Sequence, residues 1–93
     1  AEKLGKKIGL SNLYIKNDSV NPTFSFKDRP AGVAISKAKE FGLSSVGCAS
    51  TGNLASATAA HAAKGDFPCY IFAPSDIEHA KIAQALSYGA NYI

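Results

Sequence analysis

The sequence predicts an α/β fold: a three-layer open parallel sheet of about four strands with helices on both faces, in the order β-α-β-α-β-α-β. Three observations predict it. Strand-like and helix-like segments alternate along the chain, the pattern of a parallel sheet with crossover helices. Residues 45–49 and 69–73 are apolar at most positions, as in strands covered on both faces. Gly42, Gly65 and Gly89 each follow a stretch with helical spacing, where glycine commonly ends a helix. Ninety-three residues leave room for one core only, so 1–93 is read as a single domain.

The N-terminal stretch has Lys3, Lys6 and Lys7 at helical spacing with Leu4 and Ile8 opposite. This predicts a short amphipathic helix with a solvated basic face. Leu13-Tyr14-Ile15-Lys16 is short, apolar and aromatic, and predicts the first strand. A polar stretch, Ser19 to Arg29, follows. Ala31, Ala34, Ile35, Ala38 and Phe41 then fall on one helical face, with Pro30 in the first turn and Gly42 at the stop. Val46 to Ala49 predicts the second strand. Leu54 to Lys64 predicts an alanine-rich helix pressed closely on its neighbours, and Cys69 to Ala73 the third strand. Ser75 and Glu78 have the spacing of a capping box for a third helix, with Ile77, Ala80, Ala83 and Leu86 inward. Asn91-Tyr92-Ile93 reads as a fourth strand.

Ten basic and seven acidic residues give a net charge of +3, too mild to argue for nucleic acid, and no aromatics interleave a basic face. No apolar stretch approaches the roughly 18 residues of a membrane span, and the first apolar positions alternate with lysines, unlike a signal peptide. Cys48 and Cys69 read as reduced, buried thiols of a cytoplasmic protein. His61 and His79 lack a partner at ligand spacing, so no metal site is expected and both read as packing or surface residues. The chain starts with Ala and has no Met, which suggests a piece of something longer.

Ligands of open parallel sheets bind beyond the carboxyl ends of the strands, at the turns into helices. Two such turns are rich in polar residues. Ser50-Thr51-Gly52-Asn53 offers hydroxyls, an amide and free backbone N–H groups at a helix start, suited to an anion. The same residues would equally serve as helix caps. Asn21-Pro22-Thr23-Phe24-Ser25-Phe26-Lys27-Asp28-Arg29 carries Lys27 just before a helix start and beside Arg29, surroundings that disfavour an extra positive charge. Asp28 opposes this influence and would also suit an N-cap, and an exposed, solvated Lys-Asp-Arg cluster is the other reading.

Taken together, the turns carry a family likeness. Ser25-Phe26-Lys27-Asp28-Arg29, preceded by Asn21-Pro22-Thr23, resembles the Schiff-base lysine motif of fold-type II pyridoxal-phosphate enzymes. Ser50-Thr51-Gly52-Asn53 resembles that family's loop for the substrate carboxylate and cofactor ring. Within the family, Phe26 before the lysine together with this second loop is most similar to the threonine synthases. Cysteine synthases and serine/threonine dehydratases remain alternatives, as does a non-catalytic anion-binding module. Phe24 and Pro30 stand where the family commonly has glycine.

The resemblance implies a pyridoxal 5'-phosphate-dependent lyase of amino-acid biosynthesis. It implies Lys27 as the cofactor-bearing lysine and proton shuttle, and Asn53 as partner of the cofactor's phenolic oxygen. Ser50, Thr51 and Gly52 would hold the substrate carboxylate. The implied substrate is O-phospho-L-homoserine, converted with water to L-threonine and phosphate. No glycine-rich phosphate loop stands in 1–93, so the segment is expected to belong to the smaller, N-terminal domain of a longer enzyme. It is expected to be inactive alone and prone to self-association through bare sheet surface.

Overall fold

The computed structural model describes residues 1–93. It contains α1 (Glu2–Ile8), a 3-10 turn (Asp18–Val20), α2 (Asp28–Glu40), β1 (Val46–Ala49), α3 (Asn53–Lys64), β2 (Cys69–Phe72), α4 (His79–Ser87) and β3 (Asn91–Tyr92). The three strands are parallel and lie in chain order, with Val46 opposite Cys69 and Ile71 opposite Tyr92. The α/β class and the parallel sheet agree with expectation.

The expected first strand does not form. Leu13 to Lys16 has no strand partner, and Tyr14 and Ile15 stand exposed. Lys16 is held instead by local contacts, its Nζ 2.8 Å from Asp18 Oδ1 and 3.1 Å from Asn21 Oδ1. β-propensity describes fit to a pleated surface, and without a neighbouring strand it does not produce one.

Helices on both faces are not found either. Burial alternates along β1 and β2. Cys69 and Ile71 lie in a core with Ile35, Ala55, Ala59, Ala62, Ala85 and Ala90, drawn from α2, α3 and α4 or its exit, while Val46, Cys48 and Tyr92 pack against it. The other face carries Tyr70 and Phe72, exposed to 37% and 50%. Apolar residues on both sides of a strand permit two covered faces, but a second segment must be present to cover them.

The placement of α3 explains its composition. It packs on β1 and β2 and between α2 and α4, and Ala55, Ala57, Ala59 and Ala62 are fully buried. Small side chains let four neighbours approach one helix. α2 begins two residues before Pro30, and Gly42 beyond its end has φ +67°, the left-handed conformation expected of a helix stop.

α4 departs from its expected start. The Pro74 carbonyl accepts from Ile77 N at 3.2 Å, closing a turn over Ser75 and Asp76. The helix therefore begins at His79 without a side-chain cap, and the capping box is not made. Its buried positions become Ile82 and Ala85, whereas Ala80, Ala83 and Leu86 are exposed.

Candidate functional site

Residues 21–28 form a loop closed by its own side chains. Asn21 Nδ2 donates to the Ser25 carbonyl at 3.1 Å, and Lys27 N donates to Ser25 Oγ at 3.2 Å. Asp28 Oδ2 accepts from Thr23 N at 2.8 Å and from Thr23 Oγ1 at 2.9 Å. Thr23, Ser25 and Asp28 are all buried. Asp28 is thus not the N-cap expected of it: it is the first helical residue, and its carboxylate turns back to the loop.

Lys27 occupies the N-cap position of α2. It is half-buried, whereas the other eight lysines of the chain are exposed. Lys6, Lys16, Lys37 and Lys81 each pair with a carboxylate, whereas Lys27 forms no ion pair. Its Nζ lies 4.9 Å from the centre of the Phe26 ring. The Arg29 guanidinium reaches Asp18 at 3.5 Å. Lys16, 2.8 Å from the same carboxyl and donating to it, leads the influences that hold Asp18 below the usual carboxylate range.

The second turn leaves the end of β1. Ser50 N still bonds the Phe72 carbonyl at 3.2 Å, and Ser50 Oγ accepts from Gly52 N at 3.3 Å. Asn53 opens α3, whose N-cap is Gly52, and no side chain caps this helix. The alternative reading of Thr51 or Asn53 as simple caps therefore does not hold. Both side chains are exposed, and the first N–H groups of α3 keep their positive partial charge without a capping oxygen. Thr51 also borders a cleft with Pro74, Ile77 and Glu78 at the approach to α4.

Both turns thus deliver polar groups to helix starts, one of them at the carboxyl end of the sheet. The pyridoxal-phosphate dependent enzyme family matches residues 1–93, the whole chain. The chain belongs to this family. Among curated relatives of this pyridoxal-phosphate enzyme segment, the threonine synthase of Methanosarcina acetivorans is 43% identical over 93 residues, covering 99% of this chain and 23% of that protein. That of Methanocaldococcus jannaschii is 44% identical over 91 residues, covering 97% and 22%. The chain therefore spans about a quarter of the length of these relatives. Among solved structures, the processed form of threonine deaminase isoform 2 from Solanum lycopersicum superposes with a TM-score of 0.79 at 30% identity, covering 100% of this chain and 26% of that one. Serine racemase from Dictyostelium discoideum gives 0.77 at 30% identity, with 98% and 30% covered.

The donor set fits the family's cofactor. An amine without a carboxylate partner suits a covalent anchor for an aldehyde, and an uncapped helix start with hydroxyl and amide groups suits anionic oxygens.

One residue of this neighbourhood had no signal in the sequence. His61, read as a packing or surface residue, places Nε2 3.0 Å from Asp28 Oδ1. The two are 33 positions apart, and no local spacing announces the contact. His79 makes no such link, and no cluster of three or more His, Cys, Asp or Glu is placed to hold a metal ion.

Proposed function

We propose that residues 1–93 are part of the smaller, N-terminal domain of a threonine synthase, converting O-phospho-L-homoserine and water to L-threonine and phosphate. The observation that carries this reading is Lys27: one lysine of nine that is partly buried and unpaired, at the start of α2 in a chain of this family. The threonine synthases among its relatives support the choice of substrate.

In this reading Lys27 Nζ anchors the cofactor and afterwards moves protons at the reacting carbons. The closed loop of Asn21 to Asp28 holds the Lys27 backbone in place, so that only the side chain has to swing. Asn53 donates from its amide to the cofactor's phenolic oxygen. Ser50 and Thr51 hydroxyls and the N–H groups around Gly52 bind the substrate carboxylate, helped by the dipole of α3. Bound pyridoxal phosphate supplies the electron sink that lets phosphate leave and water add. The exposed face with Tyr70 and Phe72 is the surface through which the isolated segment would self-associate.

The test uses the full-length protein. After incubation with pyridoxal phosphate and borohydride reduction, peptide mass spectrometry is expected to find the adduct on Lys27. Purified full-length protein is expected to release phosphate and form threonine from O-phospho-L-homoserine. An adduct on another lysine removes the assignment. An adduct on Lys27 with turnover of a different amino acid moves the protein elsewhere in the family.

A further inference from the structure

We infer that His61 is a positioning residue for Lys27, acting through Asp28. The inference rests on the reading of Lys27 as the cofactor-bearing lysine. Asp28 is 5% exposed, and a buried carboxylate is costly unless donors surround it. Its donors are few and identifiable: Thr23 N and Thr23 Oγ1 on Oδ2, and His61 Nε2 on Oδ1. A carboxylate only accepts, so Nε2 carries the hydrogen of that contact.

The geometry makes His61 the outer end of a three-residue chain. It holds Asp28 from α3. Asp28 holds Thr23, five residues back along the loop. The segment so closed contains Lys27 next to Asp28, with the Lys27 N–H also fixed to Ser25. The ring lies beside Gly32 of α2, where a Cβ would stand in ordinary contact, 3.4 Å from His61 Cε1 and 3.5 Å from Nδ1. The Asp28–His61 contact is also the one side-chain hydrogen bond between α2 and α3. Asn53 lies eight residues before His61 on the same helix, about 12 Å along its axis at 1.5 Å per residue. This contact therefore ties the lysine turn to the helix that carries the second turn, where α2 already packs on α3.

Removing His61 leaves a buried carboxylate one donor short, and the loop is the part free to relax. The experiment uses the full-length protein with His61→Leu and His61→Gln, the latter placing an amide nitrogen near the position of Nε2. Two readouts are taken. The first is amide hydrogen exchange at Thr23 and Lys27 in cofactor-free protein, which needs no activity. The second is the rate at which added pyridoxal phosphate becomes trappable by borohydride on Lys27. In His61→Leu, exchange at Thr23 is expected to rise roughly tenfold or more, as for loss of a hydrogen bond to a charged group, and trapping is expected to slow in step. His61→Gln is expected to restore both to within a few-fold.

Unchanged exchange in His61→Leu overturns the inference. So does faster exchange with an unchanged trapping rate, since His61 would then be structural only. Should His61→Leu not fold, Thr23→Val cuts the same chain at its other end, and unchanged trapping in that variant also overturns it. A wild-type adduct on a different lysine removes the functional reading and this inference with it, whereas an adduct on Lys27 with no His61 effect removes the inference alone.

Discussion

Gly47 of β1 and Tyr70 of β2 face each other so closely that a Cβ on Gly47 would lie 2.9 Å from the Tyr70 carbonyl oxygen. The obstacle is backbone, in a register where the two residues are direct partners. The strands reach this spacing because one of them lacks a side chain on the open face.

Gly47→Ala is therefore expected to push β1 from β2 and to destabilise the protein by about 1–3 kcal/mol, the usual cost of overpacking. Urea unfolding of the full-length protein measures it. A variant as stable as the wild type would show that the strands separate without cost.

Phe24 holds φ +60° with its side chain 75% exposed. A left-handed backbone costs a side-chain-bearing residue roughly 1–2 kcal/mol, and this ring recovers little of that by burial. Phe24→Gly is expected to keep or raise stability by up to about 1 kcal/mol, after the entropy that glycine loses on folding. Phe24→Val, β-branched in the same conformation, is expected to lower it. Thermal unfolding ranks the three, and the expected result is Gly level with or above Phe, and Phe above Val.

Tyr92 packs against the core with its hydroxyl buried and without a hydrogen-bond partner. Tyr92→Phe removes an unsatisfied group and is expected to be neutral or stabilising by about 1 kcal/mol. Burial raises the Tyr92 hydroxyl above its ordinary 10.0, and Cys48 and Cys69 add to this. Burial likewise raises the Cys69 thiol above 9.0, with Cys48 again contributing. Both groups keep their protons longer folded than unfolded, so their contribution is full below those ordinary values and is lost as pH rises from them through the raised values of the folded state. Stability is expected to fall from about pH 9 upward, less steeply above pH 10 in Tyr92→Phe, as followed by urea midpoints across the alkaline range.

Lys27 and Asn53 are expected to separate covalent from non-covalent holding. Lys27→Ala should abolish the borohydride-stable adduct and turnover while circular dichroism stays unchanged, since the stem fills no apolar core. Asn53→Ala should still form the adduct on Lys27 but bind the cofactor roughly two- to tenfold more weakly, the worth of one neutral hydrogen bond. Equal cofactor affinity in Asn53→Ala would take the phenolic oxygen away from that residue.

Elements whose signals are local could be read directly from the residues. Helical spacing from Ala31 to Ala38, the alanine run of α3 and the apolar strands around Cys48 and Ile71 all appear where the pattern puts them. The two polar turns were legible for the same reason: Lys27 and Ser50 to Asn53 lie at helix starts, and a helix start depends on a few neighbouring residues. Tertiary structure alone decided what depends on a distant partner. Leu13 to Lys16 has strand-like residues but no neighbouring strand. Ser75 and Glu78 have the spacing of a cap, but the Pro74 carbonyl closes a turn first. Tyr70 and Phe72 are apolar, yet nothing in 1–93 covers them. His61 looks like any histidine among alanines until α2 packs on α3 and brings Asp28 to within 3.0 Å of it. Propensity, capping and periodicity act over a few residues, whereas pairing, burial and a long-range hydrogen bond depend on which segments the folded chain sets side by side.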